Sequence, residues 1–150
     1  MDIKEKIKKI DLFSSLSAKQ FEQLAEISEI VKFPEGEKLF RVGEEAQNIY
    51  IMMEGKVSIQ VSLSSRPEMV SIVILSKFGQ LIGWSGLMGP SYYTADAICV
   101  EDSQFLKIKG KELFEILVAD KEAGFDVLKG IVSIVSERLR NIQRVVLKTM

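Results

Sequence analysis

The chain has no histidine among its 150 residues. That removes Ser-His-Asp and Cys-His catalysis, and with them any imidazole-ligated metal or haem. It has a single cysteine, Cys99, so no intrachain disulfide can form and no cysteine zinc cluster can be built. The sequence accordingly offers no catalytic residue, no metal ligand and no cofactor site, and such cysteine usage suits a reducing, cytoplasmic setting. Charge of one sign is also missing: 20 Lys plus Arg stand against 21 Asp plus Glu, without the basic surplus of a nucleic-acid binder. Long apolar runs are absent. The stretch Val70–Leu75 is broken by Ser71, far short of the ~18 apolar residues that cross a bilayer. The opening MDIKEKIKKI has no apolar centre of the signal-peptide kind. These absences lead us to expect a soluble, non-enzymatic protein with no membrane contact and no direct DNA contact.

What remains is an ordinary globular composition, 47% hydrophobic and 27% charged, of single-domain length. Residues 1–28 read as helical: Phe13, Leu16, Phe21, Leu24 and Ile27 recur at near-helical spacing, and Ser17 with Gln20 forms a candidate capping box opening a helix over Ala18–Ser28. Residues 29–109 read as strands. Glycines at 36, 43, 55, 79, 83, 86 and 89 punctuate short runs rich in Ile, Val, Leu and Phe. The best strand candidates are Ile49–Met53, Gly55–Leu63, Met69–Leu75 and Phe105–Ile108, with a polar hairpin turn at Ser64–Glu68. Residues 110–150 return to helix, first over Lys111–Val118, then from near Asp120 towards Lys148. Gly124 and Gly130 weaken the latter's start by roughly 1 kcal/mol each. The expected fold is α+β, one domain over residues 1–150.

The second of these helices carries Val132, Val135, Leu139, Ile142 and Val146 at spacings of 3, 4, 3 and 4. That is a heptad seam of about two repeats, flanked by Glu137, Arg138, Arg140, Asn141, Arg144 and Lys148. It suits either a helix lying on its own barrel or a helix pairing with its twin in a homodimer. The wider stripe Phe125, Leu128 and Ile131 is expected to pack on the barrel.

The ordered glycines carry a resemblance. Phe40-Arg-Val-Gly43, Ile49-Tyr50-Ile51 and Gly55-Lys56-Val57 resemble the first half of the cyclic-nucleotide-binding domain family. Leu12-Phe13-Ser14-Ser15-Leu16 resembles its helical opening, Phe33-Pro34-Glu35-Gly36-Glu37 its first strand turn, and Phe78–Gly83 followed by Ala97–Ile108 its second half. The resemblance spans nearly the whole chain. It implies a double-stranded β-helix, or jelly-roll β-barrel, with N-terminal helices and a long C-terminal dimerisation helix, as in the sensor domains of catabolite-activator-like proteins. Gly43 and Gly55 read as turn residues. Gly79 and Gly83 suit either turns or the approach to the family's phosphate-binding cassette, where a short helix presents N–H groups to an anion.

The cassette departs from the pattern. In the family a Glu takes the ribose hydroxyl and an Arg neutralises the cyclic phosphate. Here it reads Gly83-Trp84-Ser85-Gly86-Leu87, with Trp84 at the Glu position. Tyr93, or Tyr92 with the loop shifted by one, stands at the Arg position, followed by Thr94 and Ala95. No Lys or Arg lies between Lys77 and Lys107. A charge-assisted hydrogen bond contributes roughly 1.5–3 kcal/mol, so losing both groups should weaken cyclic AMP by at least about a hundredfold. Asp96 adds a nearby negative charge, unless alternation turns it away. The expected function is therefore a regulatory ligand-sensing module whose site, the degenerate cassette at 83–87 and 92–95, does not bind cyclic nucleotides in the family manner. The ligand or protein partner is unidentified. Two alternatives stay open: an interaction domain whose pocket is plugged by Trp84, Tyr92 and Tyr93, and the sensor half of a transcription regulator. Against the last, a chain that stops at Met150 is expected to lack room for a DNA-binding domain if these residues are the whole protein, an objection that disappears for an excised domain. Cys99 reads as a buried inert thiol, Glu44-Glu45 and Glu101-Asp102 as solvated turns, Met52, Met53 and Met88 as core or pocket lining, and Lys4, Lys6, Lys8 and Lys9 as a solvated helix face.

Overall fold

A computed structural model describes residues 2–63, 68–89 and 91–149. Local chemistry sets the helical start. Asp2 accepts a hydrogen bond from the Glu5 amide and opens α1 (Ile3–Lys8). A 3₁₀ turn over Asp11–Phe13 leads to α2 (Ala18–Glu26), which carries the expected capping box: Ser17 and Gln20 satisfy each other's backbone N–H. The helix ends two residues before the expected Ser28. That serine donates its hydroxyl to the Leu24 carbonyl and begins a strand.

Ten strands follow among the described residues: β1 (Ser28–Phe33), β2 (Lys38–Phe40), β3 (Glu45–Ala46), β4 (Asn48–Glu54), β5 (Val57–Ser62), β6 (Met69–Leu75), β7 (Leu81–Gly83), β8 (Ser91–Tyr92), β9 (Asp96–Cys99) and β10 (Ser103–Lys109). They pair antiparallel in two four-stranded sheets, β1-β10-β4-β7 and β2-β9-β5-β6, with β3-β8 as a small bridge. β5 and β6 pair from Val57 opposite Leu75 to Ser62 opposite Met69, with a one-residue register shift between Ile59 and Gln60. Apart from Glu68, the expected turn between them lies outside the described residues. Gly43 and Gly55 have φ of +87° and +112°, a region that favours glycine; Gly43 has open space around it, so turn geometry alone selects it, whereas a Cβ on Gly55 would also collide with Ser103.

Alternation along the strands sorts side chains into two cores. On β4, Tyr50 and Met52 face the interior of the roll, where they meet Phe40, Val57, Ile59 and Phe105. Ile49 and Ile51 face the other way and join Leu106 and Ile108 against Ile7, Phe13, Leu24, Leu113 and Val127 from the helices. The architecture is thus an α+β jelly roll with helices on one sheet.

Two helices close the chain, α3 (Gly110–Ala119) and α4 (Lys121–Thr149). Asp120 caps α4 by accepting from the Ala123 amide, and its other oxygen accepts from Gln20 of α2. The glycines at the start of α4 have packing roles. A Cβ on Gly124 would collide with the Leu117 carbonyl, and one on Gly130 would stand 2.8 Å from Leu12. One expectation for this helix is corrected. Ile131 is buried, but Phe125 is 66% exposed and Leu128 is also exposed. The helix rests on the molecule through Ala123, Val127 and Ile131, and this turns Phe125 and Leu128 outward.

Candidate functional site

The site begins where β7 ends. Gly79, with φ +86°, turns the chain into this strand. Gly83 serves close approach: a Cβ there would stand 2.8 Å from the Phe40 ring. After Trp84 comes a 3₁₀ turn of three residues, Ser85–Leu87, in place of a helix. It is pinned from behind, because a Cβ on Gly86 would lie 2.6 Å from the Asn48 backbone and one on Gly110 would collide with the Gly86 carbonyl. Tyr93 returns across the roll, buried. Its ring stacks on Phe40 at 4.0 Å and 10°, and its hydroxyl donates to the Asn48 carbonyl at 2.7 Å. Burial pushes that phenol far above its usual pKa, with the Tyr50 hydroxyl adding to the shift. Tyr93 is therefore a neutral hydrogen-bond donor at any physiological pH.

Between these residues and α4 lies a cavity of about 230 Å³. Gly83, Trp84, Ser85, Tyr93, Thr94 and Ala95 line it from the cassette side, Ile59, Val61 and Ile72 from β5 and β6. Val135, Arg138, Leu139 and Ile142 close it from α4. Six of the nine cassette residues singled out in the sequence thus converge on one cavity. Three do not. Leu87 is buried in the helix-side core and Gly86 is buried behind the turn. Tyr92 is 63% exposed, paired with Glu45 in the β3-β8 bridge.

The expectation of a cavity without a cation is corrected by Arg138. This residue, read from sequence as a flanking position of the heptad seam, is only 8% exposed. Its guanidinium donates to the carbonyls of Leu81 (2.9 Å) and Ile82 (3.4 Å) on β7 and lies 5.0 Å from the centre of the Trp84 ring. Among the described residues no carboxylate lies within ion-pair distance of it. Burial lowers its pKa, partly offset by the charge of Glu137; an arginine stays charged regardless. The signal was present in the sequence. Val127, Ile131, Ile134 and Arg138 follow at 4, 3 and 4, so an arginine occupies the next place in the buried stripe.

The seam residues divide. Val132 is 67% and Leu139 55% exposed, while Val135, Ile142 and Val146 are half-buried. Phe125, Leu128 and Val132 continue the same exposed line towards the helix start. Val135, Leu139 and Ile142 also line the cavity.

The remaining candidates fall outside the cavity. Asp96 is buried and turned away, gripped by Lys38 Nζ at 2.6 Å and by the Val42 amide at 2.8 Å. Burial pushes its carboxyl up, but those two bonds, with the charges of Lys38 and Arg41, outweigh it and hold the pKa below the ordinary value. Cys99 is buried, and burial raises its thiol pKa. The Glu44 carboxylate accepts from the Arg41 amide and that of Asp102 from the Glu35 amide, both exposed turn bonds. Met52 is core, whereas Met88 is exposed beside a separate open groove. Lys4 and Lys8 form exposed ion pairs with Glu22 and Glu5. No described helix is long and apolar enough to cross a membrane.

A jelly roll carrying a cassette turn and a long C-terminal helix over one cavity is a cyclic-nucleotide-binding-type architecture. The comparisons with known proteins agree. Residues 30–120 match the family model of the cyclic nucleotide-binding domain, and the chain belongs to that family. Among solved structures it is similar to a candidate cyclic nucleotide-binding protein from Geobacter metallireducens GS-15, with 26% identity, 93% of this chain and 99% of that one covered, and a TM-score of 0.77. It also resembles the sensor domain of the transcriptional regulator DNR from Pseudomonas aeruginosa (20% identity, 91% of each chain, TM-score 0.75). A third is the regulatory subunit of a cAMP-independent protein kinase A from Trypanosoma cruzi bound to guanosine (20% identity, 98% of this chain and 50% of that one, TM-score 0.76). Among curated proteins nothing matches the chain.

Proposed function

We propose that residues 1–150 form one regulatory, non-enzymatic sensing unit that binds a small molecule other than a cyclic nucleotide in the cavity beneath α4 and pairs with a second copy through that helix. One observation carries the reading. Val135, Leu139 and Ile142 belong at once to the cavity wall and to the heptad seam, so an occupant of the cavity touches the surface that would meet the partner. A ligand that favours one packing of α4 over another shifts the equilibrium by its difference in affinity. Of the two absences behind the departure from cyclic nucleotides, the missing cation is withdrawn by Arg138. The missing sugar-binding carboxylate remains, since among the described residues Arg138 is the only charged one in the lining. Tyr93, stacked and hydrogen-bonded, also fills the place expected of the phosphate-binding arginine. The likeness to DNR supports a sensor role in transcriptional regulation, and the guanosine-bound kinase subunit is a case of this fold holding something other than a cyclic nucleotide.

The plugged interaction domain keeps one observation in its favour, the anchoring of Tyr93 over Phe40. Native mass spectrometry of freshly purified protein separates the two. The expected result is a dimer, with retained small-molecule mass in part of the population. Hydrogen exchange in α4 should slow when that mass is bound; exchange unchanged between loaded and stripped protein would sink the coupling.

A further inference from the structure

The sensing reading leaves the ligand class open, and the surroundings of Arg138 narrow it. Its guanidinium is buried against two neutral carbonyls and one aromatic face, with no acid in ion-pair range among the described residues. Burying a charge without a counter-charge is costly, and the two carbonyl bonds use two of its five N–H donors. The site is therefore short of one negative charge. Apart from Arg138 the walls are apolar or neutral, with Ile59, Val61, Ile72, Val135 and Ile142 contributing aliphatic surface. The volume, about 230 Å³, lies below the roughly 300–1,000 Å³ of ordinary ligand pockets, which favours a compact occupant. The exposure of Leu139 and Thr94, both lining residues, brings the cavity to the surface and gives a way in.

We propose that the cavity beneath α4 receives a small apolar acid, one ring or a short chain bearing a single carboxylate, whose anion engages Arg138 in place of the carbonyls of Leu81 and Ile82. This rests on the sensing role proposed above. A guanidinium fork matches a carboxylate with two parallel bonds, and the apolar body of the acid lies along the β5 and β6 walls. Because Arg138 rides on α4, between seam residues Val135, Leu139 and Ile142, the exchange of partners changes what holds that helix to β7. Without ligand, Arg138 is a latch between α4 and the strand leading into the cassette.

The test uses the full chain with phenylacetate and benzoate as probes, their neutral amides as isosteres, and cyclic AMP as a third arm. Affinities come from calorimetry. Trp84, the only tryptophan, reports in fluorescence whether the guanidinium leaves its ring. At neutral pH the acids should bind at least about tenfold more tightly than the amides and shift Trp84 emission. In Arg138→Met the gap between acid and amide should close. Arg138→Lys, which keeps the charge and loses the fork, should retain part of it and serves as the check if the methionine variant fails to fold. Equal affinity for acid and amide overturns the ligand class and leaves the cavity as a sensing site. Tighter binding of cyclic AMP than of either acid also overturns it and restores ordinary nucleotide sensing. If acid and amide both fail to bind, this inference falls, while the sensing role stands or falls on the retained mass and the α4 exchange described above.

Discussion

The two cores of this molecule are built from opposite faces of the same strands, yet they differ in kind. The helix-side core joins Ile49, Ile51, Leu106 and Ile108 to Phe13, Leu24, Leu113 and Val127, all apolar and fully or nearly fully buried. The interior of the roll holds tyrosines with hydrogen-bonded tips, a buried Asp96 carboxylate paired with the half-buried Lys38 along its β2-β9 edge, and a cavity with a lone guanidinium in its wall. The first core is optimised for stability, and the second tolerates polar groups and empty space that stability alone would remove. That contrast is what the proposed sensing role asks of the roll interior, with the helix side as its foundation.

The contrast can be broken or sharpened by substitution. The largest effect is expected from Phe13→Ala on the helix side, a loss of about 3–5 kcal/mol in urea unfolding; a loss below 1 kcal/mol would mean that this side is as loosely filled as the other. Next comes Lys38→Met, which leaves Asp96 buried without its partner and should cost about 3 kcal/mol. The same pair predicts a pH dependence. The Asp96 pKa is lowered on folding, so its contribution is complete above the ordinary carboxyl value of about 3.9 and is lost as pH falls through the lower folded value. The stability difference between the wild type and Asp96→Asn should therefore be constant near neutrality and shrink in acid, as followed by circular dichroism. Gly86→Ala should cost about 1–3 kcal/mol by wedging the 3₁₀ turn against Asn48, read from the shift in thermal midpoint. The smallest effect is expected from Arg138→Met, within about 1 kcal/mol, because an apolar side chain of similar length replaces an uncompensated buried charge. A loss several times larger would show that the latch to β7 holds the fold as well as the switch.

How much of this was legible in the sequence follows from element length and from distance along the chain. The helices were readable because they are long enough to show a period and carry caps, as at Ser17 with Gln20. The longer strands β4, β5, β6 and β10 matched runs of alternating or continuous apolar residues. β2, β3, β7 and β8 have only two or three residues each, too few for any periodicity, and depend on neighbours already in place. The cassette side of the cavity was visible because it is contiguous. Its far wall was not: Arg138 lies more than fifty residues beyond β7, and a search for cations within the cassette does not reach α4. Phe125 and Leu128 misled for a related reason, since one helix carries two apolar stripes and sequence alone does not say which one faces in.

The back-to-back fit of Gly86 and Gly110 has a consequence for how a signal can travel. The floor of the cassette turn is clamped to β4 and to the root of α3 with no room for even a methyl group, so the turn cannot recoil inward when the cavity fills. Under the proposed sensing role, any displacement that a ligand produced would be taken up on the opposite wall, by α4. Rigidity at two glycines would thereby give such a response its direction.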